Sequence, residues 1–113
     1  MTIISVPTKK EEVLKNYSHL FKSLIKAVVD TEKEIIALDG ELHSDIEELL
    51  REKGSLQENL WGINLYLDKD KAERIEYTAL INRRPSAGNN GMEIQDKVIK
   101  TKIEEIVYRL IVE

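Results

Sequence analysis

The run Leu60-Trp61-Gly62-Ile63-Asn64-Leu65-Tyr66-Leu67 decides the fold class. Trp61, Ile63, Leu65 and Leu67 recur at every second residue, the spacing that gathers side chains on one side of a β-strand. After the polar connection Asp68–Arg74, the residues Ile75, Tyr77, Ala79 and Ile81 repeat that alternation. The two runs predict a long antiparallel hairpin over 60–67 and 75–81 with its odd-numbered residues facing a helical layer. Gly62 falls on the opposite side and leaves room there for a close neighbour.

Outward from this hairpin the chain alternates strand and helix signals. Ala27-Val28-Val29 and Glu34-Ile35-Ile36-Ala37-Leu38 flank the polar Asp30-Thr31-Glu32-Lys33, which predicts a second hairpin. Thr2 to Val6, closed by Pro7, predicts a short edge strand. Thr8-Lys9-Lys10-Glu11 matches a capping box, and the apolar residues at 13, 14, 17, 20, 21, 24 and 25 predict a helix over 9–25. Ser44-Asp45-Ile46-Glu47 matches a second box and predicts a short helix over 45–53, with Gly54 as its terminator. A last helix is expected from about residue 93, burying Ile94, Val98, Ile99, Ile103, Ile106, Val107, Leu110 and Ile111. The order β-α-β-β-α-β-β-α describes one α+β domain over residues 1–113. Its expected form is an antiparallel sheet of about five strands with two long helices packed on one face.

Composition narrows the function classes. The chain has 113 residues, no cysteine, and 17 basic against 21 acidic residues for a net charge of −4. The apolar content of 42% is too high for a disordered chain. The absence of cysteine excludes disulfides, thiol catalysis and thiolate metal sites. The negative balance argues against binding to nucleic acid, although Arg74, Arg83, Arg84 and Lys97 offer a local basic patch. No apolar run approaches the length of a membrane span, and the N-terminus lacks a signal-peptide pattern, so the expectation is a cytoplasmic protein without a membrane partner. No cofactor is indicated, and a metal site is not expected because His43 has no second histidine near it.

Four runs resemble a family of small prokaryotic proteins catalogued only as a domain of unknown function. They are Ala27-Val-Val-Asp30, Gly40-Glu-Leu-His43, Glu58-Asn-Leu-Trp-Gly-Ile-Asn64, and Ile81-Asn-Arg-Arg-Pro85 with Gly88-Asn89. Arg83 departs from the pattern, which has an apolar residue there. The resemblance covers nearly the whole chain and implies no activity, cofactor or catalytic residue.

The residues themselves suggest three sites. Glu41, His43 and Asp45 point the same way if the segment is extended, and a histidine beside carboxylates suits general acid–base chemistry. The bland alternative is an exposed connection with Asp45 favouring a helix start. Arg83, Arg84, Ser86 and Asn89, in a glycine-rich loop ahead of a helix, suggest a site for a small anionic ligand. That loop lacks the P-loop ending, and its turn formers with Asn89 or Asn90 as a helix cap are the structural alternative. Asn64 and Asn82, on the even-numbered face of the long hairpin, suggest ligand contacts or a cross-strand pair. With Tyr66 and Leu80 that face also suits a homodimer or protein contact. Trp61 is expected in the core. The paired glutamates Glu11-Glu12, Glu47-Glu48 and Glu104-Glu105 are expected on solvated helix faces, and His19 on the polar side of the first helix.

Overall fold

In the computed structural model, residues 1–17, 20–21 and 23–113 are described. The expected second hairpin is present. Strand β3 (Ile25–Asp30) pairs antiparallel with β4 (Ile35–Leu38), in the register Val28–Ala37. Before them in the chain, β1 (Thr2–Ile4) lines the outer edge of β4. Strand β5 (Leu60–Leu65) lies on the other side of β3, with Lys26 opposite Asn64 and Val28 opposite Gly62. A two-residue strand β6 (Ile75–Glu76) completes a five-stranded antiparallel sheet in the order β1-β4-β3-β5-β6. A separate parallel pair joins β2 (Thr8–Lys9) to β7 (Ile111–Val112).

The helices depart from the expected layering. α1 (Lys10–Tyr17) and α3 (Lys97–Leu110) cover one sheet face, where Val13, Ile103, Ile106 and Leu110 pack with Ile25, Val29, Trp61 and Ile63. α2 (His43–Glu52) covers the other face, setting Ile46 and Leu50 against Val28, Ala37 and Leu60. The two-long-helices, one-face arrangement is therefore corrected: the sheet lies between helical layers. The reason is visible in β3, where Ala27, Val28 and Val29 are all buried. A strand apolar on both sides needs cover on both sides.

Five boundaries also move. α1 ends at Tyr17, and Ile25, expected as its last stripe residue, opens β3 instead. Thr8 lies in β2 and its Oγ1 donates to the Val6 carbonyl at 3.0 Å, so it is not the expected cap. The position expected for His19 lies outside the described residues. α2 begins at His43 with Leu42 at its N-cap and no side-chain cap, which places Ser44 inside the helix. α3 starts at Lys97, capped by Asp96, whose Oδ1 accepts from the amides of Val98 and Ile99. Neither Asn89 nor Asn90 caps it, and Ile111 leaves it for β7.

The long second strand of the 60–81 hairpin is also shorter than expected. Beyond Glu76 the chain bonds to 92–94: Ala79 N donates to Met92 O at 3.1 Å and Ile94 N to Tyr77 O at 2.9 Å. Residues 80–82 then form a single 3-10 turn. β5 is left with an outer edge that no strand covers at Leu60 and Gly62, and side chains fill the gap. Asn82, wholly buried, accepts from Gly62 N at 2.7 Å and donates to Gly62 O at 2.9 Å, doing with one carboxamide what a neighbouring strand does. Arg84 donates to the Leu60 carbonyl. Gly62 is required for this: a Cβ there would lie 2.5 Å from the Ala79 Cβ, with Ile81 and His43 also within 3.2 Å.

Candidate functional site: a groove at the start of α2

α2 has 10 residues and is about 15 Å long, too short to cover its sheet face from end to end. Its first residue, His43, sits over β5 near Gly62 and Ile63. Beyond that point the sheet presents Lys26 of β3 and Asn64 of β5, a cross-strand pair that lines an open groove. The result is a groove of about 440 Å³, within the usual range for small-molecule sites. Its apolar wall is Leu24, Leu42, Ala79, Leu80, Ile81 and Met92, and its polar groups are Lys26, His43, Ser44 and Asn64. Thr78 completes the described lining, which includes no carboxylate.

His43 is half-buried, and its Nε2 lies 2.9 Å from the carbonyl oxygen of Ile63. A carbonyl only accepts, so the neutral ring carries its proton on Nε2 and leaves Nδ1 as the acceptor. Burial pushes its pKa below the usual 6.5, and the nearby Lys26 ammonium adds to the effect, while the Ile63 carbonyl and the Asn64 side chain oppose it. At neutral pH the ring is therefore uncharged. Asn64 donates through Nδ2 to Glu76 Oε1 at 2.7 Å and to Thr78 O at 3.3 Å. Its Oδ1 is buried without a hydrogen-bond partner. Lys26 Nζ donates to the Glu41 carbonyl at 3.0 Å and lies 5.0 Å from the centre of the Phe21 ring.

The trio Glu41, His43 and Asp45 does not converge. Because α2 begins at His43, positions 43 and 45 point to different sides of a helix and are not aligned along an extended segment. Glu41 and Asp45 line a separate depression of about 400 Å³ with Asp39, Glu48 and Glu52. His43 is absent from that lining. Among the described residues no cluster of three or more histidines and acids is arranged to hold a metal ion.

The loop residues are placed elsewhere again. Arg84 turns inward: its guanidinium stacks on Trp61, 4.6 Å from the ring centre, and Nη2 lies 3.6 Å from Glu47 Oε2 of α2. Burial lowers its pKa, with Glu47 opposing the shift. Asn89 is buried and organises the loop itself. Its Nδ2 donates to the carbonyls of Asn82, Gly91 and Glu93, and its Oδ1 accepts from Gln95 N. Arg83 and Ser86 remain exposed. None of Arg83, Arg84, Ser86 and Asn89 lines the groove. The expected Asn64–Asn82 pair is replaced by Asn64–Glu76 on one side and Asn82–Gly62 on the other. Asn82 therefore cannot contribute to an exposed interaction face, whereas Leu80, 71% exposed, can.

A family model described as "Protein of unknown function (DUF5674)" matches residues 2–110. The chain belongs to this family. No curated protein and no solved structure matches it. The match takes in every wall of the groove, from Leu24 to Met92. Among the described residues of this DUF5674 chain, no helix is long and apolar enough to cross a membrane.

Sequence reasoning singled out His43 and Asn64 but missed Lys26, Leu24, Leu42 and Met92. Alternation within β3 was the available signal for Lys26: two residues before Val28, it shares that residue's sheet face.

Proposed function

We propose that this protein binds a small ligand in the groove at the start of α2, with His43 as the proton acceptor of the site. The supporting observation is that one concave wall brings together an uncharged, half-buried imidazole, the buried and unpartnered Oδ1 of Asn64, and a largely apolar lining. An imidazole whose proton is tied up on Nε2 offers Nδ1 to an O–H or N–H of a bound molecule, which is the arrangement a general base needs. The loop at Arg83–Asn89 is the less favoured place for an anion, because Arg84 and Asn89 already have protein partners there.

A two-dimensional amide NMR titration of the whole chain with a library of small, mainly apolar compounds bearing one polar group tests this reading. The largest shifts are expected at His43, Asn64 and Leu80, and His43→Gln should weaken every hit. Shifts confined to residues 83–91 would move the site to that loop. A homodimer through the rim formed by Leu42, Leu80 and Met92 is the second reading, favoured by their exposure. It requires a mass that rises with concentration in sedimentation and falls back in Leu80→Ser.

A further inference from the structure

The charge pattern of the groove narrows the ligand class. The chain carries 21 acidic residues against 17 basic ones, yet among the described residues the wall of the groove holds one cation, Lys26, and no carboxylate. That cation, Lys26, has no ion pair among the described residues. Its partners are a carbonyl oxygen and an aromatic face, which orient the ammonium without neutralising it. Glu41 offers Lys26 only its main chain and lines the other depression, while the Glu76 carboxylate is engaged by the Asn64 and Tyr66 side chains. The amino end of α2 opens at the same place, with Leu42 providing no side-chain cap, so the helix dipole adds to the positive field. With His43 uncharged at neutral pH, Lys26 is the single full charge among the described residues of the wall. The same wall also carries the apolar Leu24, Leu42, Leu80 and Met92.

Resting on the reading of the groove as the ligand site, we infer that its ligand is a small amphipathic carboxylate. The acid group pairs with Lys26 beside His43, and the apolar body lies along Leu42, Leu80 and Met92. The half-buried position of Lys26 makes such a pair stronger than one in open solvent.

Isothermal titration of the full chain with octanoate, octan-1-ol and octylamine, followed by amide NMR, tests the inference. Octanoate is expected to bind roughly tenfold tighter than either of the others, the discrimination one charge-assisted contact supplies. Lys26→Met should abolish the preference for octanoate over octan-1-ol, and Lys26→Arg should keep it. Retained alcohol binding in Lys26→Met also shows that the variant is folded. Equal binding of octanoate and octan-1-ol, or a preference for octylamine, overturns the carboxylate assignment while leaving the groove as the site. Absence of binding by all three overturns the assignment and the reading on which it rests.

Discussion

On one face of the five-stranded sheet, α1 and α3 lay Val13, Ile103, Ile106 and Leu110 over a continuous apolar surface. On the other, α2 alone lays Ile46 and Leu50 over Val28, Ala37 and Leu60 and stops at His43. The first face is closed but for a recess of about 100 Å³ beside Leu14, Ile25 and Leu65; the second is closed at one end and open at the other. Neighbouring residues of one strand thus have different tasks. Ile63 is fully buried in the core shared with α1 and α3, whereas Asn64 borders the groove. The contrast shows how a small sheet can separate stability from binding: a full helical layer supplies the core, and a short helix leaves a recess.

Truncating the sealed face should have the largest effect. Ile63→Ala is expected to cost about 2–5 kcal/mol, read from the urea midpoint, because it opens a cavity in the core between the sheet and the α1/α3 layer. A loss below about 1 kcal/mol would break the distinction between the faces. Next comes the junction between them. Asn82→Leu removes the carboxamide that satisfies Gly62 N and O and should cost about 2–3 kcal/mol in the same assay.

A smaller and pH-dependent effect belongs to His43. Its folded-state pKa lies below its unfolded one, so the unfolded chain takes up a proton first as the pH falls. Stability should be full above about pH 6.5 and decline below it, levelling off once the folded state is protonated too. His43→Gln should remove this step but keep any acid-induced loss below pH 4.5. That lower window belongs to Glu34 and Glu113, whose pKa values are held down by Lys102 and Arg74 respectively. An unchanged pH profile in His43→Gln would argue against a half-buried neutral imidazole. The smallest effect is expected at the groove rim: Leu80→Ser should change stability by less than about 0.5 kcal/mol, since the side chain is largely in solvent. A larger loss would show that the rim is part of the core.

What could be read from the sequence follows the same division. The period-two alternation of Trp61, Ile63, Leu65 and Leu67 reports directly on the sealed face, and the β3–β4 hairpin is equally clear. The end of α1 was obscured because Leu24 and Ile25 continue its helical stripe while β3 begins at Ile25. Residues 77–81 alternate as a strand would, yet the backbone bonds of Tyr77 and Ala79 go to Ile94 and Met92. Nothing in the local spacing states that Asn82 substitutes for a strand. The groove is harder still, because its wall comes from four stretches of chain, around 24–26, 42–44, 64 and 78–92. His43 was legible by residue type alone. Its separation from Glu41 and Asp45 depended on a helix starting two residues earlier than the Ser44 capping pattern implies.

The parallel pair of β2 and β7 has a kinetic consequence. Thr8 meets Ile111, so this contact closes a loop of almost the whole chain, the most entropically demanding closure the fold contains. The local hairpins β3–β4 and β5–β6 can form before it, but this clasp must wait for both ends. Glu113 strengthens it by pairing with Lys10 beside β2 and with Arg74 ahead of β6. Local opening in hydrogen exchange should therefore begin at residues 8–9 and 111–112 and spread inward from there.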